Sequence, residues 1–259
     1  MIADITVASI MGGPDIGLLP HWLAHYRALG LDRFVVAVND PERATEYDRC
    51  LMDNGIIPVC HFDDLYFKDE IGAIDYVNTA ITSEWILHAD MDEFFLFDRP
   101  LEQLLNDCEI HRYRVVRGRF IDHICADGEL AAVKDEPSLW RQFPIMHHTT
   151  EHVRQGLTTK SMLRHRSRSP TSGNHIPGND MPSCHPDWQE IHHFRWTAAT
   201  VPAMRHFLEV WPDCWWRHEY DKALHFLGDP PRLDLDKLRM MASFIELTDT
   251  LLGRYPFCG

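Results

Sequence analysis

Three acids, Asp90, Asp92 and Glu93, stand between two apolar runs at residues 85–87 and 94–97. Burying an unpaired carboxylate is costly, so this placement asks for a counter-charge. A divalent cation is the simplest one, and hard carboxylate oxygens suit Mg²⁺ or Mn²⁺. In an extended chain alternate side chains point the same way. Asp90 and Asp92 are therefore expected to face one ion while Met91 turns to the other side. The competing reading is an acidic surface turn between two strands, and the D-x-D spacing alone does not separate the two.

The elements before the acids decide where they lie. Residues 4–10 form a β-branched-rich run that reads as a buried strand, broken by Met11-Gly12-Gly13-Pro14-Asp15. Leu19, Trp22, Leu23, Tyr26 and Leu29 then recur at helical spacing, and Gly30 ends that helix. Residues 33–38 read as a second buried strand ending at Asn39-Asp40, residues 41–54 as a helix closed by Gly55, and residues 56–60 as a third strand. Residues 69–82 give a third helix with Ile74, Val77 and Ile81 inward, and the acidic stretch follows as a fourth strand. Strands alternating with helices across short connections predict an α/β fold: a mostly parallel sheet, Rossmann-like, with helices on both faces. Ligands of such sheets bind beyond the carboxyl ends of the strands. Met11-Gly12-Gly13, Asn39-Asp40 and Asp90-Met91-Asp92 all fall at predicted carboxyl ends, on one edge.

Past Pro100 the regularity weakens. A short helix is expected at 100–107, an antiparallel strand at 112–120, a loop-rich stretch at 121–155, and a strand at 156–164. A long loop at 166–186, a short apolar-edged piece at 191–196, and helices at 201–210 and 235–252 follow. With no repeat or clear linker, the 259 residues read as one domain, with a nucleotide-binding half at 1–98 and an acceptor-side, partly helical half at 99–259.

The bulk composition sets limits. The chain is 45% hydrophobic and 25% charged, ordinary for a globular protein. It holds no apolar run of about 18 residues and no signal-type N-terminus, so no transmembrane segment and a cytoplasmic location are expected. A formal net charge of -14 argues against a nucleic-acid coat, which needs a basic surface. Local basic segments are compatible with that charge, and one is Lys160 to Arg168. Seven dispersed cysteines without a C-x-x-C pair fit reduced thiols.

The first half resembles GT-A glycosyltransferases of the family 2 type, close to the family 92-like group. Residues 22–32, Trp-Leu-Ala-His-Tyr-Arg-Ala-Leu-Gly-Leu-Asp, are similar to that group's W-L-x-H-H-x-x-L-G-V-D helix. Residues 85–95 are similar to its W-x-x-x-x-D-x-D-E-F segment, and residues 34–40 to its second strand. The likeness covers residues 4–98 and is patchy beyond. Two departures stand out: Met11-Gly12-Gly13 replaces the usual Asn-Glu after the first strand, and only Asn39-Asp40 remains of a fuller D-N-x-S-x-D element.

The resemblance implies transfer of a sugar, UDP-linked by preference, from a nucleotide diphosphate to the hydroxyl of a glycan or other acceptor, by inversion. A divalent ion, Mn²⁺ or Mg²⁺, would neutralise the leaving diphosphate. Asp92 is then the direct ligand, with Asp90 on the metal or the donor's ribose. A histidine from the second half is expected to complete the set, His193 first and His175 second. Asn39 and Asp40 would sit near the base or ribose, and Lys160 and Arg164, with Arg166 and Arg168, on phosphate oxygens. Asp122 is the candidate general base, with Asp180 and Asp187 as alternatives. Trp211, Trp215 and Trp216 would stack on a sugar or fill the core. Cys184, His185, His192 and His193 offer a weaker zinc alternative. Two rival functions stay open: a nucleotidyltransferase that makes the activated sugar, and a GT-A-like binding protein without catalysis.

Overall fold

A computed structural model describes residues 4–12, 16–62, 70–154, 159–168, 183–211, 217–241 and 244–247. Contacts group the chain into two compact units, Met1–Arg119 with Thr159–Ile191, and Phe120–Thr158 with His192–Gly259. Each is described by itself.

The first unit is built on strand β1, Ile5–Met11, whose seven residues are all buried. β1 pairs in parallel with β2, Phe34–Val38, on one side and with β4, Trp85–His88, on the other. The short β3, Cys60–His61, lies in parallel outside β2. Helix α1 (Leu18–Ala28) joins β1 to β2, α2 (Ala44–Asp53) joins β2 to β3, and α3 (Glu70–Thr79) joins β3 to β4. The parallel order is therefore β3-β2-β1-β4. The chain winds outward from β1 through β2 to β3, then returns to the far side of β1. The winding reverses between β1 and β4, and such a switch point leaves a crevice outside the carboxyl ends of those two strands.

Periodicity explains the layers. Ala8 and Ile10 of β1, Ala37 of β2 and Ile86 of β4 pack against Ala73, Ile74, Val77 and Ile81 of the α3 region. Alternation leaves Val7, Ser9 and Met11 to the opposite face. Beyond β4 the sheet becomes antiparallel. β8 (Thr159–His165) pairs with β4, and the first half of β6 (Val115–Ile124) pairs with β8. Off this path, β5 (Glu93–Leu96) pairs with β9 (Cys184–His193), and α4 (Leu101–His111) follows β5.

In the second unit the other half of β6 pairs antiparallel with β7 (Ile145–His147), which pairs with β10 (Ile245–Glu246). Helices α5 (Leu139–Gln142), α6 (Thr149–Arg154), α7 (Thr200–Val210), α8 (Arg217–Leu227) and α9 (Leu235–Arg239) complete it. Ile124, Ile145, Trp196, Met204, Leu227 and Leu233 are buried together as its core. No described helix is long and apolar enough to cross a membrane.

The structure departs from the sequence reading in five places. The acidic stretch is not one strand but two, β4 and β5, joined by a turn at 89–92. The third strand shrinks to two residues. Residues 184–193 form a ten-residue strand where mostly loop was expected, because Pro186 and several exposed positions hide the strand period. α8 was not expected, although Tyr220, Ala223, Leu224 and Leu227 recur at helical spacing and pack into this core. The helix expected at 235–252 stops at Arg239.

Candidate functional site

The β4–β5 turn is where the acids act. The backbone N–H of Ala89 donates to Ala8 O at 3.1 Å, carrying the β1–β4 ladder to its last residue. Asp90 comes next, directly outside the switch point. Glu93 N–H donates to Asp90 O at 3.0 Å, closing a four-residue turn that contains Met91 and Asp92. The alternation assumed for an extended chain does not apply here, because these residues are in a turn. Met91 is buried and Asp92 half-buried.

Helix α1 holds this turn by its backbone. Trp22 Nε1 donates to Asp90 O at 3.0 Å. Tyr26 Oη donates to Glu93 O at 2.9 Å and accepts from Phe95 N–H at 3.3 Å. His25 Nε2 lies 3.0 Å from Phe95 O. Residues three and four apart share one helix face, so three neighbouring side chains of α1 engage four backbone groups of the turn and β5. The two motifs read separately in the sequence, 22–32 and 85–95, are one physical unit. Apolar periodicity placed Trp22 and Tyr26 inward but could not show that their polar tips serve the acidic turn.

Lys160 of β8 provides the counter-charge. Its Nζ lies 2.8 Å from Asp90 Oδ2 and 2.8 and 2.7 Å from the two Glu93 oxygens. Lys160 and Glu93 side chains are 2% and 3% exposed, whereas Asp90 is 48% exposed. Glu93 Oε2 also accepts the Asp90 N–H at 3.0 Å. Desolvation pulls the Lys160 ammonium toward neutrality, but Asp90 and Glu93 outweigh it and raise its pKa. Desolvation likewise raises Asp90, yet Lys160 and then His88 bring its pKa below the ordinary carboxylate range. His88, buried at the end of β4, is pushed down to about 3 by desolvation and by Lys160, and is neutral.

Two expectations change here. An ammonium has three N–H groups, and those of Lys160 face carboxylates, so it is a structural counter-ion and not a free phosphate contact. Arg164 is not at this end at all. β8 runs antiparallel to β4 and pairs Arg164 with Ile86, so the four residues from Lys160 to Arg164 carry the chain about 13 Å toward the amino ends of the parallel strands.

Gly12 follows β1 at the same edge. The Asn39 N–H donates to Met11 O at 2.6 Å. A Cβ added at Gly12 would sit 2.4 Å from the Asn39 carbonyl oxygen, so only glycine fits where the ends of β1 and β2 meet. Asp40 Oδ1 accepts the Arg43 N–H at 3.1 Å, and Oδ2 lies 3.6 Å from Arg43 Nε. Asp40 therefore shapes the turn into α2.

Among the described residues no three His, Cys, Asp or Glu side chains gather as a metal cage. Asp90 and Asp92 still suit Mg²⁺ or Mn²⁺. Mg²⁺ characteristically uses one or two carboxylates and completes its shell with waters and substrate phosphates. Asp90 is half-exposed and feels the Asp92 charge beside it, and a divalent cation relieves such a close pair of carboxylates. When bound, such an ion would neutralise charge growing on a departing diphosphate.

The second unit brings together Asp122 and His193. Asp122 is fully buried; it accepts from Thr150 N–H and Thr150 Oγ1, both at 2.6 Å, and lies 2.9 Å from His193 Nδ1. Desolvation raises its pKa, but the His193 hydrogen bond, followed by Thr150, lowers it below the usual carboxylate value. Asp122 is thus ionised, and His193 Nδ1 must be the donor. In the neutral ring the lone pair then sits on His193 Nε2. A carboxylate behind a histidine is the arrangement that orients both bases and metal ligands. The general-base assignment for Asp122 is corrected on this ground: its oxygens are buried and occupied, so it positions His193.

The remaining candidates divide. His175, Asp180, Trp215 and Trp216 lie outside the described residues. Asp187 pairs with Arg99 at 2.8 Å. His185 lies 2.9 Å from Asp107 Oδ2 and accepts from Asp187 N–H at 3.1 Å, which uses both ring nitrogens. His192 Nδ1 lies 2.7 Å from His123 Nε2. The zinc alternative loses His185 and His192 to these partners. Trp211 packs edge-on against Phe207 at 5.6 Å.

No family model and no curated protein matches the chain. Solved structures similar in shape include a CMP:2-keto-3-deoxy-manno-octonic acid synthetase complexed with CTP, 10% identical at a TM-score of 0.41, covering 81% of this chain and 99% of that one. The inositol-1-phosphate CTP transferase from T. maritima is 9% identical at a TM-score of 0.40, covering 77% and 92%. S. aureus TarS is 10% identical at a TM-score of 0.37, covering 86% and 43%. At these scores the likenesses carry no argument, and function is read from the site itself.

Proposed function

We propose that this chain is a metal-dependent transferase acting on nucleotide-activated sugars, and specifically a glycosyltransferase that moves a sugar from a UDP-type donor to an acceptor hydroxyl. The observation that carries the reading is the position of Asp90-Met91-Asp92 immediately outside the β1–β4 switch point, where open α/β sheets hold nucleotides. Asp92 and Asp90 would hold Mn²⁺ or Mg²⁺ together with the donor's phosphates. Asn39 and Asp40, on the same edge, would border the nucleoside. Within the second unit, His193 oriented by Asp122 is a separate candidate for proton transfer. The resemblance of residues 22–32 and 85–95 to family 2-type enzymes supports the glycosyl-transfer step and the inverting course.

A second reading, a nucleotidyltransferase joining a sugar phosphate to a nucleotide, is favoured by one observation. Gly12, pressed against the Asn39 carbonyl, leaves bare backbone after β1, where a triphosphate-binding loop would begin. One pair of assays separates the two. Incubation with a panel of UDP-sugars and Mn²⁺ is expected to release UDP. Incubation with nucleoside triphosphate and sugar 1-phosphate is expected to release no pyrophosphate. The opposite pattern would establish the second reading.

A further inference from the structure

A second polar cleft opens in the first unit, lined by Asp75 and Asn78 of α3, Ile81, Ile86 of β4, and Arg164 with the turn Arg166-Ser167-Arg168 after β8; its volume is about 230 Å³. It belongs to the amino-terminal end of β4, since Arg164 pairs with Ile86. Asp90 follows the other end of that strand. This cleft is therefore distinct from the candidate nucleotide site, and its argument does not rest on that site's chemistry.

The cleft is built around a guanidinium whose hydrogen bonds the described residues do not complete. Arg164 is 6% exposed. Its Nη1 donates to the Arg168 carbonyl, while its Nε and Nη2 are buried without a hydrogen-bond partner among the described residues. Those two nitrogens form one edge of the guanidinium, the edge whose parallel N–H groups match two oxygens of an oxyanion. Guanidinium does not escape burial by losing its proton, so an unmatched edge is an open demand for an anion. The turn that follows is fixed: Arg166 N–H donates to Glu84 O at 2.8 Å, and Arg168 N–H to His165 O at 3.0 Å. Arg166 Nη1 reaches Thr82 O at 2.9 Å, which holds that side chain on the cleft rim. Three arginines thus line a small cleft in a chain of net charge -14. Among the described residues Asp75 is the one carboxylate lining it, and the Arg164 fork with Arg166 beside it favours a dianion over a monoanion. The Asn78 side-chain oxygen is also buried there without a partner. Exchanging the two ends of that amide, which look alike, turns the position into a donor.

We propose that the Arg164-Arg166-Arg168 cleft is a phosphate-binding site, taking inorganic phosphate or the phosphate group of a small phosphorylated metabolite. Arg164 provides the fork, Arg166 and Arg168 the surrounding charge, and Asp75 limits affinity so that binding is reversible.

Isothermal titration of the full chain with inorganic phosphate tests this, with glucose 1-phosphate and acetate as parallel titrants. Saturable 1:1 phosphate binding is expected, with acetate at least about tenfold weaker because it lacks the second charge. Arg166→Gln with Arg168→Gln, both on the turn, is expected to weaken phosphate by about tenfold or more without lowering the melting temperature. Asp75→Asn is expected to tighten it. Arg164→Lys keeps the charge but loses the fork, and is expected to weaken it as well. Binding by glucose 1-phosphate at equal or higher affinity would mark a metabolite as the ligand; its absence alongside phosphate binding would mark free phosphate. Asp92→Asn separates this site from the nucleotide site, since it should leave phosphate binding unchanged. Absence of saturable phosphate binding, undiminished binding in the double variant, or loss of binding in Asp92→Asn would overturn the proposal.

Discussion

Lys160 is the residue on which the acidic turn depends. It is a fully buried ammonium serving one fully buried carboxylate, Glu93, and one half-exposed carboxylate, Asp90. Removing one partner of a buried ion pair leaves the other uncompensated, at a cost of about 3–5 kcal/mol. Lys160→Met is expected to destabilise the protein by that amount in urea denaturation. Lys160→Met combined with Glu93→Leu is expected to recover most of it; equal losses in the single and double variants would show that Glu93 is not the group left stranded. Asp122 has the same standing for His193. Long-range ¹H–¹⁵N spectra are expected to show His193 protonated at Nδ1, and Asp122→Asn to abolish that preference.

At the level of elements, α1 acts as a clamp on the β4–β5 turn. Tyr26→Phe removes one hydroxyl that serves both Glu93 O and Phe95 N–H, and about 1–3 kcal/mol is expected to be lost because those buried groups stay unpaired. Hydrogen exchange at Phe95 should accelerate in the variant, while amides of β2 keep their protection. The parallel half of the fold was legible because its strands are short apolar runs bounded by helix periods, and Gly30 and Gly55 punctuate them. The turn at 89–92 was one of two readings the sequence left open. Asp90-Met91-Asp92 has no glycine or proline, and the apolar runs on either side suggested continuous strand. The partner of Glu93 was hidden too: Lys160 lies 67 residues away, and its spacing to Arg164 suggested one basic patch where the antiparallel direction of β8 separates two. The carboxyl-terminal half of the sequence was read least well: the helical spacing of Tyr220, Ala223, Leu224 and Leu227 in α8 was missed, and β9 mixes buried and exposed positions without strict alternation.

For the whole molecule, buried neutral histidines set the response to acid. His123 is fully buried, lies 2.7 Å from His192 and stacks on Phe194 at 4.3 Å. Desolvation, then the His192 ring, pushes its pKa well below the ordinary 6.5. In the unfolded chain it takes up a proton as pH drops through that ordinary value, while the folded chain does not. Stability therefore rises with pH across this window and falls as pH is lowered from about 7 to 5, by up to about 1.4 kcal/mol per pH unit for each such group. His123→Gln is expected to flatten that slope in denaturation curves taken at several pH values. The net charge of -14 acts in the same molecule on ligand choice: a diphosphate approaches an acidic surface most easily when a cation accompanies it. Whether Asp90-Met91-Asp92 holds a metal together with a nucleotide diphosphate is decided by titrating UDP into the protein with Mn²⁺ and again with a chelator. Saturable binding with Mn²⁺, its loss with the chelator, and its loss in Asp92→Asn with the melting temperature preserved is the predicted result. Equal UDP binding with and without metal, or unchanged metal-dependent binding in Asp92→Asn, would contradict it.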